Sequence, residues 1–145
     1  MGELFADVSG KGRTGKTSLC AALATALSRE GKRVLCIDCD VGLRNLDISL
    51  GLSECGALSF WDVSEGGYSL EDAFRHPVYP TLAFLTAPMN CPVEKIDDAA
   101  FREMLGRARQ LYDYVFLDAP AGVDAGFRLA AQFADRFLLV TGAGP

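Results

Sequence analysis

The chain has 145 residues, half of them hydrophobic and 23% charged, with a formal net charge of −5. That length suits one domain able to remove roughly 70% of its unfolded surface from water, and the composition excludes a disordered segment. The acidic balance excludes a module that holds nucleic acid through a generally basic surface. The opening residues lack a basic stretch followed by an apolar one, and no apolar run approaches the ~20 residues of a membrane helix. The five cysteines (Cys20, Cys36, Cys39, Cys55, Cys91) are odd in number and irregularly spaced, which fits free thiols in a reducing compartment. A single cytoplasmic domain over residues 1–145 is the expectation.

In chain order, residues 4–8 read as a strand and residues 9–15 as a glycine-rich loop. A helix follows over residues 17–30, with Leu19, Leu23, Ala26 and Leu27 on one face and Gly31 at its C-cap. Three further apolar runs of strand length follow at residues 34–37, 82–85 and 114–117, and a last one at 137–140. Runs that are apolar on both faces suit parallel strands covered by helices on each side. Between them, Ser69-Leu70-Glu71-Asp72 offers an N-cap with an acid three residues on. Residues 98–112 place Phe101, Met104, Leu105, Ala108 and Leu111 on one stripe, and residues 127–133 make a shorter helix. Strand–helix alternation throughout predicts a three-layer, doubly wound α/β domain with a mostly parallel sheet.

The strongest local signal is Gly10-Lys11-Gly12-Arg13-Thr14-Gly15-Lys16-Thr17, which satisfies G-x-x-x-x-G-K-[ST] between a strand and a helix. Glycines let backbone N–H groups curl around a phosphate, and the next helix aims its N-terminal dipole at the anion. Lys16 supplies a point charge between the β- and γ-phosphates, and the Thr17 hydroxyl suits Mg²⁺. With Ser18 following, residues Gly10 to Ser18 form the candidate nucleotide cradle.

Ligands in open α/β sheets sit beyond the carboxyl ends of the strands. Asp38 and Asp118 each end an apolar run, and Asp40 follows two residues after Asp38. Three acids at that end suit the surroundings of a hydrated Mg²⁺ and an attacking water.

The loop Ser9-Gly10-Lys11-Gly12-Arg13-Thr14-Gly15-Lys16-Thr17 resembles the deviant Walker A motif, K-G-G-x-G-K-[ST], of the MinD/ParA family of P-loop ATPases. Asp38-Cys39-Asp40-Val41-Gly42-Leu43-Arg44-Asn45-Leu46-Asp47 is similar to switch I in the MinD branch, D-x-D-x-G-L-R-N-L-D. Asp118-Ala119-Pro120-Ala121-Gly122-Val123-Asp124 is similar to its switch II. Counting the five apolar runs in chain order, the resemblance implies a sheet order of 3-2-4-1-5. It implies ATP and Mg²⁺ as ligands, with Lys11 crossing to a partner's nucleotide in an ATP-dependent homodimer. It further implies that Asp40 polarises the hydrolytic water, that Asp38 and Asp118 join Thr17 in the magnesium shell, and that Gly122 lies near the γ-phosphate. Lys11, Lys16 and Asp40 are then the catalytic set.

The function implied is ATP hydrolysis in placing the division septum, alongside division-regulator proteins. A positioning ATPase of the FlhG or ParA kind is the alternative. Others are a nucleotide-binding module with little turnover and an iron–sulfur carrier of the related Mrp type. Arg13 replaces the second glycine of K-G-G, adding bulk and charge where backbone approaches phosphate: it weakens binding and activity if that position needs φ > 0, or else adds a phosphate contact. Family members run longer, so the chain corresponds to their front part. Neither autonomous membrane binding nor nucleic-acid binding is expected.

Other signals read as structural. Cys36 and Cys39, three apart on a strand, point to opposite faces rather than forming a metal pair. His76 before Pro77 reads as a polar surface residue, and Trp61 beside Phe60 as packing. Asp97 and Asp98 complement a helix N-terminus. Arg102, Arg107 and Arg109 read as a solvated helix face.

Overall fold

The computed structural model describes residues 2–9, 16–38, 58–65, 67–86, 97–118 and 135–140. Its elements are β1 (Glu3–Ser9), α1 (Lys16–Arg29), β2 (Val34–Asp38), α2 (Phe60–Ser64), a 3₁₀ turn (Leu70–Asp72), β3 (Phe74–Arg75), β4 (Leu82–Leu85), α3 (Asp98–Leu111), β5 (Tyr114–Asp118) and β6 (Arg136–Val140). The strands form one sheet in the order β3-β4-β2-β5-β1-β6. All pairs are parallel except β3 with β4. The five apolar runs therefore take the order expected of them, and the two-residue β3 is an antiparallel addition at the edge.

Alternation along the strands divides the core between two faces. Leu35 and Ile37 of β2 pack with Leu4, Leu85, Val115 and Leu117 under Phe60, Phe101, Met104, Leu105 and Ala108 of α2 and α3. Val34 and Cys36 point the other way, joining Leu82, Phe84 and Phe116 against Ala21 and Ala24 of α1. Helices thus cover both sides of the sheet. This is why the strand sequences are apolar without alternation. On the α3 side, Phe60 and Phe101 meet edge to face, with ring centroids 5.3 Å apart, a favoured geometry for aromatic pairs.

Caps and stripes explain where the helices start and stop. In α3 the buried residues Phe101, Met104, Leu105 and Ala108 follow the i, i+3, i+4, i+7 pattern of a single face. Asp97 caps its start, accepting from the Ala99 amide at 2.9 Å. Helix α1 ends in a Schellman motif: Gly31 has φ of +89°, and its amide reaches the Ser28 carbonyl while the Lys32 amide reaches that of Leu27. Ser59 and Asp62 form a reciprocal capping box at the head of α2.

Three local expectations change. The face of α1 that meets the sheet is centred on Ala21, Ala24 and Ser28, with Leu23 and Leu27 only partly buried and Ala26 exposed. Small residues let the helix axis approach the strands closely, and the leucines flank that contact. Ser69 does cap a turn, but only the 3₁₀ turn Leu70–Asp72, because the chain enters β3 at Phe74. His76 is half-buried, its Nδ1 accepting from the amides of Val78 at 3.0 Å and Tyr79 at 3.3 Å, so it closes a turn. The expected helix over residues 127–133 lies outside the described residues, as does Cys39. Cys36 is buried on the α1 face.

Candidate nucleotide-binding site

Every parallel strand directs its carboxyl end to the same edge of the sheet. There β1 ends at Ser9 and α1 begins at Lys16. The far end of α1 reaches the opposite edge, where the Ser28 and Thr81 hydroxyls hydrogen-bond just before β4. So the first turn of α1, with Lys16, Thr17 and Ser18, lies at the carboxyl end of the sheet. A 14-residue helix brings the positive end of its dipole and its unsatisfied N–H groups to that edge.

Asp38 and Asp118 end β2 and β5 and are register partners, on strands about 4.8 Å apart. Both carboxylates are fully buried. Asp38 shares the strand parity of Val34 and Cys36, and Asp118 that of Phe116, so both lie on the face covered by α1. Burying two carboxylates together costs free energy unless positive charge or hydrogen-bond donors face them. A helix N-terminus at the same edge of the sheet is one source of such donors.

The same register row continues one strand further, because Asp7 of β1 is the partner of Asp118. Three aspartates on three adjacent strands thus form one line across β2, β5 and β1. The sequence marks Asp7 as an acid within an apolar run, but nothing in it gives the register that aligns Asp7 with the other two.

The segments that leave this edge are the ones the motifs single out. Residues 10–15 join Ser9 to Lys16. The chain leaves β2 at Asp38 and returns to the sheet at Ser59, which bridges Thr86 just beyond β4. The Phe60 amide reaches the Thr86 carbonyl at 2.9 Å, and the Thr86 amide reaches the Leu58 carbonyl at 2.9 Å. Gly10, Lys11, Gly12, Arg13, Thr14, Gly15, Asp40 and Gly122 lie outside the described residues.

Oxygen donors from Asp38, Asp118 and Thr17 suit Mg²⁺, which binds through one or two carboxylates and keeps several waters and phosphate oxygens. Among the described residues no cluster of three or more His, Cys, Asp and Glu side chains could hold a metal by itself. Among the described residues, too, no helix is long and apolar enough to cross a membrane.

Known proteins resemble this chain over nearly its whole length. The profile of the CobQ/CobB/MinD/ParA nucleotide binding domain matches residues 5–138. The septum site-determining protein MinD of Thermotoga maritima is 37% identical over 142 residues, which is 97% of this chain and 52% of that one. MinD of Bacillus subtilis is 36% identical over 143 residues, 97% of this chain and 53% of that one. Among solved structures, the MinC:MinD cell division protein complex of Aquifex aeolicus aligns with a TM-score of 0.81 at 36% identity, covering 94% of this chain and 55% of that chain. MinD of Pyrococcus horikoshii, complexed with Mg-ADP, aligns with a TM-score of 0.81 at 32% identity, covering 97% and 58%. The chain spans about half the length of the curated relatives it matches.

Proposed function

This chain belongs to the CobQ/CobB/MinD/ParA nucleotide binding domain family, and from that membership we propose that it is a MinD-like ATPase acting in placement of the division septum. The buried Asp38–Asp118 pair on the α1 face, at the edge where Lys16 begins its helix, carries this reading. The relatives named MinD and the Mg-ADP complex of one of them support it.

Lys16 and the amides opening α1 hold the phosphates, and Lys16 neutralises charge that builds on the transferring oxygens. Thr17, Asp38 and Asp118 would hold the magnesium ion. A magnesium ion held there would supply positive charge to offset that building on the phosphate oxygens. Asp40 orients a water for in-line attack on the γ-phosphorus. Gly122 approaches the γ-phosphate, and Lys11 reaches the nucleotide of a second copy, so that ATP favours the dimer. A cytoplasmic location and a division-regulator partner of the MinC kind complete the proposal.

Nucleotide titration and single-turnover hydrolysis on the wild type, Lys16→Ala and Asp40→Ala test it. Lys16→Ala should lose about 10–100-fold in ATP affinity, as expected when a hydrogen-bonded charge contact is removed. Asp40→Ala should bind ATP normally but hydrolyse it about 10²-fold more slowly. Equal slow hydrolysis by all three proteins would sink the enzyme reading. If Arg13 crowds the phosphate, Arg13→Gly should tighten ATP binding. Sedimentation with ATP should show a dimer for the wild type and a monomer for Lys11→Ala.

A further inference from the structure

At the opposite edge of the sheet, where β2, β4 and β5 begin, a cavity of about 320 Å³ opens between β3 and the end of α3. Its size falls in the range of small-molecule sites, roughly 300–1,000 Å³. Two guanidinium groups from distant parts of the chain line it: Arg33, just before β2, and Arg75 in β3. Arg75 makes no ion pair among the described residues. Arg33 reaches Asp113 at 3.4 Å, longer than the 2.7–2.9 Å of a tight charge-assisted bond, which leaves donors of its fork available. Ala83 and Leu111 supply an apolar wall.

Tyr112 adds a phenol to the lining. Burial raises its hydroxyl pKa, and the nearby charges of Arg75 and Arg33 only partly oppose that. The phenol therefore keeps its proton and remains a donor. Glu71 also lines the cavity, and its carboxylate accepts the Ser69 hydroxyl. The lining thus carries two positive charges and one negative in a chain whose net charge is −5. Two cations on one lining, both acting on the Tyr112 hydroxyl, favour an anion, and the carboxylates of Glu71 and of Asp113, which Arg33 also reaches, penalise a dianion.

We propose that this cavity binds a small organic carboxylate, with its head group between Arg33 and Arg75 in reach of the Tyr112 hydroxyl and its apolar body against Ala83 and Leu111. The site is independent of the nucleotide edge and takes a different chemical class of ligand. Planar guanidinium forks suit a carboxylate, and a flat or branched hydrocarbon suits the wall.

The test is titration of the ¹⁵N-labelled 145-residue chain with 3-phenylpropionate, its neutral amide 3-phenylpropionamide, and phenyl phosphate. The carboxylate should give saturable shifts at the amides of Arg75, Ala83 and Tyr112, and the neutral amide should bind at least about tenfold more weakly. Phenyl phosphate should bind no more tightly than the carboxylate. Arg75 is exposed on an edge strand, so Arg75→Gln should keep the wild-type spectrum while losing about tenfold in affinity; Arg75→Lys should lose less. The proposal is overturned by an absence of saturable shifts, by equal binding of the neutral amide, by tighter binding of phenyl phosphate, or by unchanged affinity in Arg75→Gln.

Discussion

Asp38 and Asp118 stand opposite each other as register partners on β2 and β5, both without solvent exposure and both on the face that α1 covers. No packing requirement asks for two buried acids there, since Leu, Ile or Val would fill the position without the cost of buried charge. Replacing either acid by the isosteric Asn removes charge while keeping shape. We expect Asp38→Asn and Asp118→Asn each to retain ADP binding without magnesium and to lose about tenfold, or ~1.4 kcal/mol, of the tightening that magnesium brings. Titration of a fluorescent ADP analogue with and without Mg²⁺ reads this directly. An unchanged magnesium dependence in both variants would remove these residues from the metal shell.

Gly2 and Gly106 should respond in opposite senses to alanine. A Cβ on Gly2 would lie 2.1 Å from the Tyr112 carbonyl oxygen, and the Gly2 amide already donates to the Arg109 carbonyl at 2.7 Å. The strand must shift, so Gly2→Ala should destabilise by about 1–3 kcal/mol. Gly106 sits within α3, where an added methyl would meet nothing within 4 Å, so Gly106→Ala should stabilise by about 0.5–1 kcal/mol through helix propensity. Urea unfolding of the two variants beside the wild type decides both signs.

Arg109, expected on a solvated helix face, instead ties three elements together. Its guanidinium grips Asp135 with two bonds of 2.6 and 2.8 Å, and Asp135 also accepts the Leu4 amide at 3.0 Å. The link fastens the end of α3 to β1 and to the start of β6. A double-mutant cycle on Arg109 and Asp135 should give a coupling of about 1 kcal/mol. The more exposed Arg33–Asp113 pair, with side chains 56% and 41% accessible and a single 3.4 Å contact, should give about 0.2–0.5 kcal/mol. Equal couplings would contradict this ranking.

Acid should erode the contact between Asp113 and Arg33. The Asp113 carboxyl is held below the ordinary value of 3.8, first by the Arg33 amide and then by the Arg33 side chain. A carboxyl whose pKa is lower in the folded than in the unfolded chain adds stability that is complete above the unfolded value. That contribution fades as pH falls through the folded value. Stability should therefore decline below about pH 4, and Asp113→Asn should flatten that part of the curve. Chemical unfolding at a series of pH values from about 2 to 6 measures it, and parallel curves for variant and wild type would refute the assignment.

Much of this protein was legible without coordinates because the signals are local. The four-residue apolar runs specify buried parallel strands, the Phe101–Met104–Leu105–Ala108 spacing specifies one helix face, and Gly31 marks the end of α1. Local spacing also put Asp38 and Asp118 at strand ends. It misjudged the centre of the α1 face, where Ala21 and Ala24 are buried while Leu23 and Leu27 pack beside them only partly buried and Ala26 is exposed. Hydrophobicity ranks side chains by the free energy of leaving water, whereas the distance between helix and sheet decides which of them fit. It also missed β3, because two residues are too few to show a period.

What only the tertiary structure decided is alignment across elements far apart in sequence. Strand register brings Asp7, Asp118 and Asp38 into one row, and strand order sets Arg33 and Arg75 at one cavity and Asp135 under Arg109. Periodicity fixes a residue's direction within its own strand or helix. Its neighbour on the next element is fixed by how the faces pack and by the backbone hydrogen bonds that lock one strand against another.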